Sequence, residues 1–239
     1  MELTFTDMQG YSIGCHRATE GSVLNAHQLE SLRKLMCCST QPARNGSRLN
    51  GRAAVTRGEV PGIGRVVVKH FMRGGLLRHL VERLYLRWGP VRSEQEFELL
   101  ERVRALGVRA PEPVACGFRG GLFYRTWLVT KEIAHSRSLA DLSQQDEDLA
   151  REYMRELINQ VGILIRNNLL HVDLHPGNVL ISDEGKLYIL DFDKAREFKG
   201  PKNKLRDVYL HRWRRAVIKH KLPEILTEIM ALGLRSSFE

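Results

Sequence analysis

The chain has 239 residues, with 37 Lys and Arg against 28 Asp and Glu, a formal net charge of +9, and 43% hydrophobic and 27% charged residues. That composition is ordinary for a globular protein and excludes a collagenous, coiled-coil or wholly disordered chain. The positive balance favours anionic partners (nucleic acid, phosphorylated ligands or an acidic membrane surface) without choosing among them.

Residues 1–24 read as short strands with turns at Gly10, Gly14 and Gly21. Residues 25–36 carry Leu29, Leu32 and Leu35 at helical spacing and predict a short helix. The stretch 39–51 is polar, with Pro42, Asn45, Gly46 and Gly51, and reads as a loop. A hairpin follows, with strands at 52–56 and 65–71 and Gly58, Pro61, Gly62 and Gly64 between them. Residues 92–106 predict a helix with Phe97, Leu100, Val103 and Leu106 on one face; Gly107 ends it, and Pro111 and Pro113 prevent its resumption. The apolar, β-branched run 122–133 predicts a strand. Ser138-Leu139-Ala140-Asp141 matches a capping box. The clearest helix is 148–168, with Leu149, Tyr153, Leu157, Val161 and Leu164 in register. A second hairpin joins 179–181 to 187–190 through Ser182-Asp183-Glu184-Gly185-Lys186. The tail from 203 is helical in pattern and broken at Pro223. The first half is thus β-rich and the second α-rich, consistent with one domain of two lobes.

No apolar run approaches the ~18 residues that cross a bilayer. Met1-Glu2-Leu3-Thr4 lacks the basic and apolar regions of a secretory signal. Cys15, Cys37, Cys38 and Cys116 contain no C-x-x-C, so reduced thiols in a cytosol are expected, with no disulfide framework or zinc site.

The chemistry concentrates in His171-Val172-Asp173-Leu174-His175-Pro176-Gly177-Asn178, followed by Leu190-Asp191-Phe192-Asp193. This is an H-x-D-x-x-x-x-N catalytic loop followed by a D-F-x metal motif. Phosphoryl transfer requires an aligned hydroxyl, bound Mg²⁺ and neutralised phosphate charge more than it requires covalent chemistry from the protein. Asp173 can accept the proton of an attacking hydroxyl, and His171 opens the loop. Asn178 and Asp191 offer hard oxygen ligands for Mg²⁺. Lys69 ends the β-branched run Val66-Val67-Val68 and suits the α- and β-phosphates of ATP; alone, a strand lysine is commonly just solvated. Such a lysine needs a helix carboxylate, and Glu96 is favoured over Glu98, both flanking Phe97. No G-x-G-x-x-G occurs; Gly51 and Arg52 can form a looser phosphate cover. Backbone groups near Glu132 and Ile133 are placed by chain order to bind an adenine edge. Only 48 residues follow Asp191, with no A-P-E, which favours a small or lipid-linked acceptor over a protein. The cluster from Arg196 to Lys221 can bind phosphate-bearing acceptors or an anionic leaflet, and Trp213 within it favours an interfacial role. The bland alternative is a solvated helix face.

Val67-Val68-Lys69-His70-Phe71-Met72-Arg73-Gly74-Gly75-Leu76 resembles the lysine strand and following turn of bacterial Kdo kinases, within the lipopolysaccharide core kinase group. The resemblance continues through Phe97-Glu98-Leu99-Leu100, Ala110-Pro111-Glu112-Pro113, the catalytic loop and Asp191-Phe192-Asp193-Lys194. It implies an α+β, bilobal protein-kinase-like fold, with a β-rich N-lobe at residues 1–133 and a shortened α-helical C-lobe at 134–239. It further implies ATP- and Mg²⁺-dependent phosphorylation of Kdo at its 4-hydroxyl on a lipid A precursor. The work would be done peripherally at the cytoplasmic face of the inner membrane, against an anionic surface, without nucleic acid or an obligate protein partner. A core heptose kinase, an aminoglycoside-phosphotransferase-like enzyme and a binding pseudokinase are the alternatives. The N-terminal 45 residues carry no resemblance.

Overall fold

A computed structural model of the chain describes residues 3–16, 24–38, 54–71, 85–86 and 89–236. The turn expected at Gly21, the whole predicted loop 39–51 with Gly51, Arg52 and the basic turn after Lys69 lie outside the described residues. The described chain is mixed α and β, with a sheet-rich N-terminal part and 6 helices. It divides into two compact units, the first ending at Glu101 but regaining Glu112–Glu132, the second made of Arg102–Pro111 and the chain from Ile133 onward.

In the first unit β1 (Leu3–Met8) and β2 (Tyr11–His16) form an antiparallel hairpin. Helix α1 (Ala26–Cys37) follows, opened by a capping box in which Asn25 and Gln28 each bond the other's backbone N–H. The strands β3 (Ala54–Val60) and β4 (Gly64–His70) pair antiparallel. After them in sequence come β5 (Tyr85–Leu86), α2 (Arg92–Ala105), β6 (Pro113–Gly120) and β7 (Phe123–Lys131), and β4 and β6 each pair antiparallel with β7. The result is a 7-stranded sheet ordered β1-β2-β6-β7-β4-β3, with β5 on β7. Leu29, Leu32 and Met36 of α1 bury against Val66, Val68 and Trp127 of the sheet. Each such aliphatic side chain contributes about 1.5–3 kcal/mol of burial. One face of α2 buries Phe97 and Leu100.

The second unit opens with β8 (Arg137–Ser138), α3 (Leu139–Gln145) and α4 (Glu147–Arg166). Ser138 caps α3 by accepting the Asp141 N–H at 3.0 Å, and Asp146 caps α4 through the Leu149 N–H at 2.9 Å. Then come β9 (Leu169–Leu170), a 3-10 turn (Pro176–Asn178), β10 (Val179–Ile181), β11 (Leu187–Ile189) and β12 (Arg196–Glu197). The chain closes with α5 (Lys202–Lys219) and α6 (Ile225–Ser236). β10 pairs with β11 and with β8, and β12 pairs with β9. Buried Gln160 of α4 donates to the Leu187 carbonyl at 3.2 Å and accepts the Arg109 N–H at 2.9 Å, tying three segments together. Gly233 of α6 lies so close to Ile158 of α4 that a Cβ would sit 2.5 Å from its Cδ1. No helix among the described residues is long and apolar enough to cross a membrane.

Three expectations need correction. Gly14 and Gly58 lie inside β2 and β3 rather than at turns. A Cβ on Gly14 would meet the Phe5 ring at 2.5 Å, so glycine there admits a close neighbour without reversing the chain. Residues 113–120 form a strand, where the prolines read only as a helix stop. Trp213 is 1% exposed and donates its indole N–H to the Leu226 carbonyl at 2.9 Å; it is core, not an interfacial anchor.

Candidate active site

Two clusters of the expected residues form, one in each unit. In the first, β4 presents Lys69 and α2 presents Glu96. The Lys69 ammonium lies 2.9 and 2.8 Å from the two Glu96 oxygens, and the Glu96 side chain is 3% exposed. Glu98, the other candidate, is exposed. The Phe97 face decides this: a helix turns ~100° per residue, so only one flanking residue points back toward β4. At the end of β7, the Glu132 N–H donates to the Arg65 carbonyl at 3.0 Å. Its carboxylate pairs with Arg57 at 3.1 Å and Arg65 at 2.7 Å. Glu132 is thus engaged within the sheet through both its amide and its side chain. In the second unit the Ile133 carbonyl accepts the Ser136 hydroxyl at 2.9 Å.

The second cluster hangs on β9, the 3-10 turn and the β10–β11 hairpin. His171 is 1% exposed. Its Nε2 lies 2.8 Å from the Leu190 carbonyl, which can only accept, so Nε2 carries the proton and Nδ1 is bare. Nδ1 is buried and has no partner among the described residues. Burial holds this imidazole below its ordinary pKa, and it is neutral. The ring packs edge-on to Phe192, with centroids 4.6 Å apart. The His171 N–H donates to the Tyr209 hydroxyl at 2.7 Å, and that hydroxyl donates to the Leu169 carbonyl at 2.8 Å. Arg212 donates to the Val172 carbonyl at 2.8 Å. Helix α5 therefore clasps the start of the catalytic loop at three backbone groups.

Asp173 follows, with its carboxylate 38% exposed and open to a reactant. Asn178 is 7% exposed and donates its amide to the Asp173 carbonyl at 3.0 Å. That bond fixes the amide and turns its carbonyl oxygen into the available ligand. His175 accepts the Gly177 N–H at 3.1 Å, holding the turn closed. Val179 pairs with Ile189, and the Leu190 N–H donates to the Asn178 carbonyl at 2.8 Å, so Asn178 and Asp191 emerge from the same end of one hairpin. Asp191 has a φ of 62°, in the left-handed region. Among the described residues no three His, Cys, Asp or Glu side chains converge on a metal position. One amide oxygen and one carboxylate suit Mg²⁺, which retains waters and phosphate oxygens, and do not suit a fully caged metal.

One participant escaped the sequence reading. The Lys194 ammonium lies 2.7 Å from Asp173 Oδ2. The available signal was its position three residues past Asp191, within the Asp191-Phe192-Asp193-Lys194 segment. The Ala195 N–H bonds the Phe192 carbonyl at 2.8 Å, and that turn carries Lys194 back toward the loop.

A sequence model of the lipopolysaccharide kinase (Kdo/WaaP) family matches residues 40–228. The chain is 34% identical over 131 residues to a 3-deoxy-D-manno-octulosonic acid kinase of Vibrio vulnificus (strain CMCP6), covering 54% of this chain and 55% of the relative. It is 32% identical over 161 residues to the protein of that name from Xanthomonas oryzae pv. oryzae (strain PXO99A), covering 65% and 63%. The chain thus spans about half to two thirds of the length of the curated relatives it matches.

Proposed function

Because the chain belongs to the lipopolysaccharide kinase (Kdo/WaaP) family, we propose that it is an ATP-dependent sugar kinase acting on Kdo of a lipid A precursor. The 4-hydroxyl is the proposed acceptor atom, and the cytoplasmic face of the inner membrane the proposed place. A protein-kinase-like fold with lobes at residues 1–133 and 134–239 is part of this reading. The observation that carries the reading is the Asp173 carboxylate, open to solvent, salt-bridged to Lys194 and backed by Asn178.

In this mechanism Asp173 accepts the proton of the acceptor hydroxyl as its oxygen bonds to the γ-phosphorus. The bond from that phosphorus to the bridging oxygen breaks, and ADP leaves with the electron pair. Lys194 pairs with the Asp173 carboxylate and balances the charge gathering beside it. His171, neutral and fixed by Leu190 and Tyr209, is a positioning residue that sets the loop carrying Asp173. Lys69, aligned by Glu96, neutralises the α- and β-phosphates. Asn178 and Asp191 would hold Mg²⁺, which supplies charge neutralisation at the transferring phosphoryl group. Gly51 and Arg52 are proposed for the phosphate cover, and Ile133 and Glu132 for adenine.

The test is label transfer from γ-labelled ATP, with Mg²⁺, to Kdo-bearing lipid A precursor, beside a heptosylated acceptor and a no-acceptor control. Label on the Kdo-lipid supports the reading. Label restricted to the heptosylated acceptor, with the phosphate mapped to heptose, overturns it. Asp173→Asn lowers turnover by about 10²–10⁴ while leaving the melting temperature unchanged.

A further inference from the structure

The β6–β7 hairpin reverses at Gly120-Gly121-Leu122. Gly120 has a φ of 115°, and a Cβ there would run into the Phe123 carbonyl, so this reversal requires glycine. The reversal leaves Leu122 66% and Phe123 55% exposed. Leu86, 40% exposed, is the cross-strand partner of Phe123 and shares its sheet face. Two residues along that face stands Arg125, directly opposite Arg119. Both arginines are exposed.

Like charges placed opposite each other repel, and this costs stability unless an anion answers them. Neither guanidinium has a carboxylate partner among the described residues. Arg119 lies 5.0 Å over the Tyr11 ring and donates to its hydroxyl at 3.4 Å. Both arginines line a cavity of about 220 Å³ with Tyr11, His70 and Trp127. An exposed apolar tip therefore adjoins two cations that lack a carboxylate partner among the described residues, and a small cavity. Contiguous apolar side chains at a solvent-facing tip mark an interaction surface, whereas scattered ones do not. A second copy seated symmetrically here would bring the same arginines against one another, with no carboxylate among the described residues of the patch to answer them.

We propose that this tip docks the chain on an anionic phospholipid bilayer. Leu86, Leu122 and Phe123 enter the acyl boundary, and Arg119 and Arg125 take the headgroup phosphates. The surface deepens the proposed function, because a lipid-borne acceptor is reached from the bilayer; docking itself needs neither ATP nor acceptor.

The experiment is co-sedimentation of the full chain, without nucleotide, with vesicles of phosphatidylglycerol and phosphatidylcholine or of phosphatidylcholine alone. The wild type pellets with the anionic vesicles. Leu122→Asp with Phe123→Asp lowers that partition by about tenfold or more. Arg119→Gln with Arg125→Gln abolishes the preference for anionic vesicles. Both double variants keep the wild-type circular dichroism and the wild-type turnover of detergent-dispersed acceptor. Unchanged vesicle binding by the apolar double variant overturns the proposal. So does a wild type that ignores vesicles but self-associates through the tip in sedimentation velocity. Vesicle binding that depends on the tip, with no label transfer to any acceptor, sinks the kinase reading and leaves the docking surface standing.

Discussion

Tyr209→Phe removes a single hydroxyl whose two hydrogen bonds, 2.7 and 2.8 Å long, join α5 to the chain entering the catalytic loop. The phenylalanine ring fills the same space, so no cavity opens. What remains is a His171 N–H with its acceptor gone and a Leu169 carbonyl that has lost a donor. The site is buried, Tyr209 being 3% and His171 1% exposed, so water does not readily replace either bond. Each orphaned group costs about 1–3 kcal/mol, and the two together about 2–6 kcal/mol. Isothermal urea denaturation followed by far-UV circular dichroism reads that loss as a lower midpoint at unchanged slope. Turnover falls about tenfold with the acceptor KM unchanged, because a loosened loop misplaces Asp173 without touching the binding groups. A variant within about 0.5 kcal/mol of the parent, with parental turnover, would refute the clasp.

Three further outcomes follow from the geometry. Lys194→Ala lowers kcat by about 10–100-fold, and Lys194→Arg restores part of it, read from initial rates; equal loss in both variants would mean that shape rather than charge matters. Glu96→Gln destabilises the first unit by about 1–3 kcal/mol and raises the KM for ATP at least about tenfold, checked by denaturation and by ATP titration. Burial holds His171, His175 and His220 below the ordinary 6.5. The unfolded chain therefore takes up protons first as pH falls below about 6.5. Stability is full above that value and declines beneath it, by up to about 1.4 kcal/mol per pH unit for His171 alone. Urea midpoints at about pH 7.5 and about pH 5.5 check this, and an equal or higher acid midpoint contradicts it.

Much of the fold was legible because several local signals agree. Asn25, Ser138 and Asp146 cap their helices through bonds that the residue type alone can make. The β10–β11 hairpin carries its own turn, and Gly185 takes a φ of 72° there. Strand β6 was hidden because Pro111 and Pro113 read only as a helix stop, whereas pairing with β2 and β7 makes 113–120 a strand. The amphipathic face of α5 was read from its arginines, but Leu205, Tyr209, Trp213 and Val217 form the buried stripe. At the site, Asp173, Asn178 and Asp191 lie close in sequence and their spacing is a pattern. Tyr209 lies 38 residues from His171, and Lys194 lies 21 from Asp173. Such contacts are products of tertiary closure, which no local window contains.

Asp191 adopts a backbone that most side chains resist. Glycine enters the left-handed region freely, and aspartate and asparagine enter it at modest cost. Of those three letters, only one bears a negative charge. With the proposed Mg²⁺ ligation, backbone and chemistry narrow the alphabet at this position from opposite directions until a single choice survives. Glutamate keeps the charge and meets the strain; asparagine keeps the conformation and loses the charge. Drift at position 191 has no intermediate to pass through, since each step away forfeits one requirement or the other.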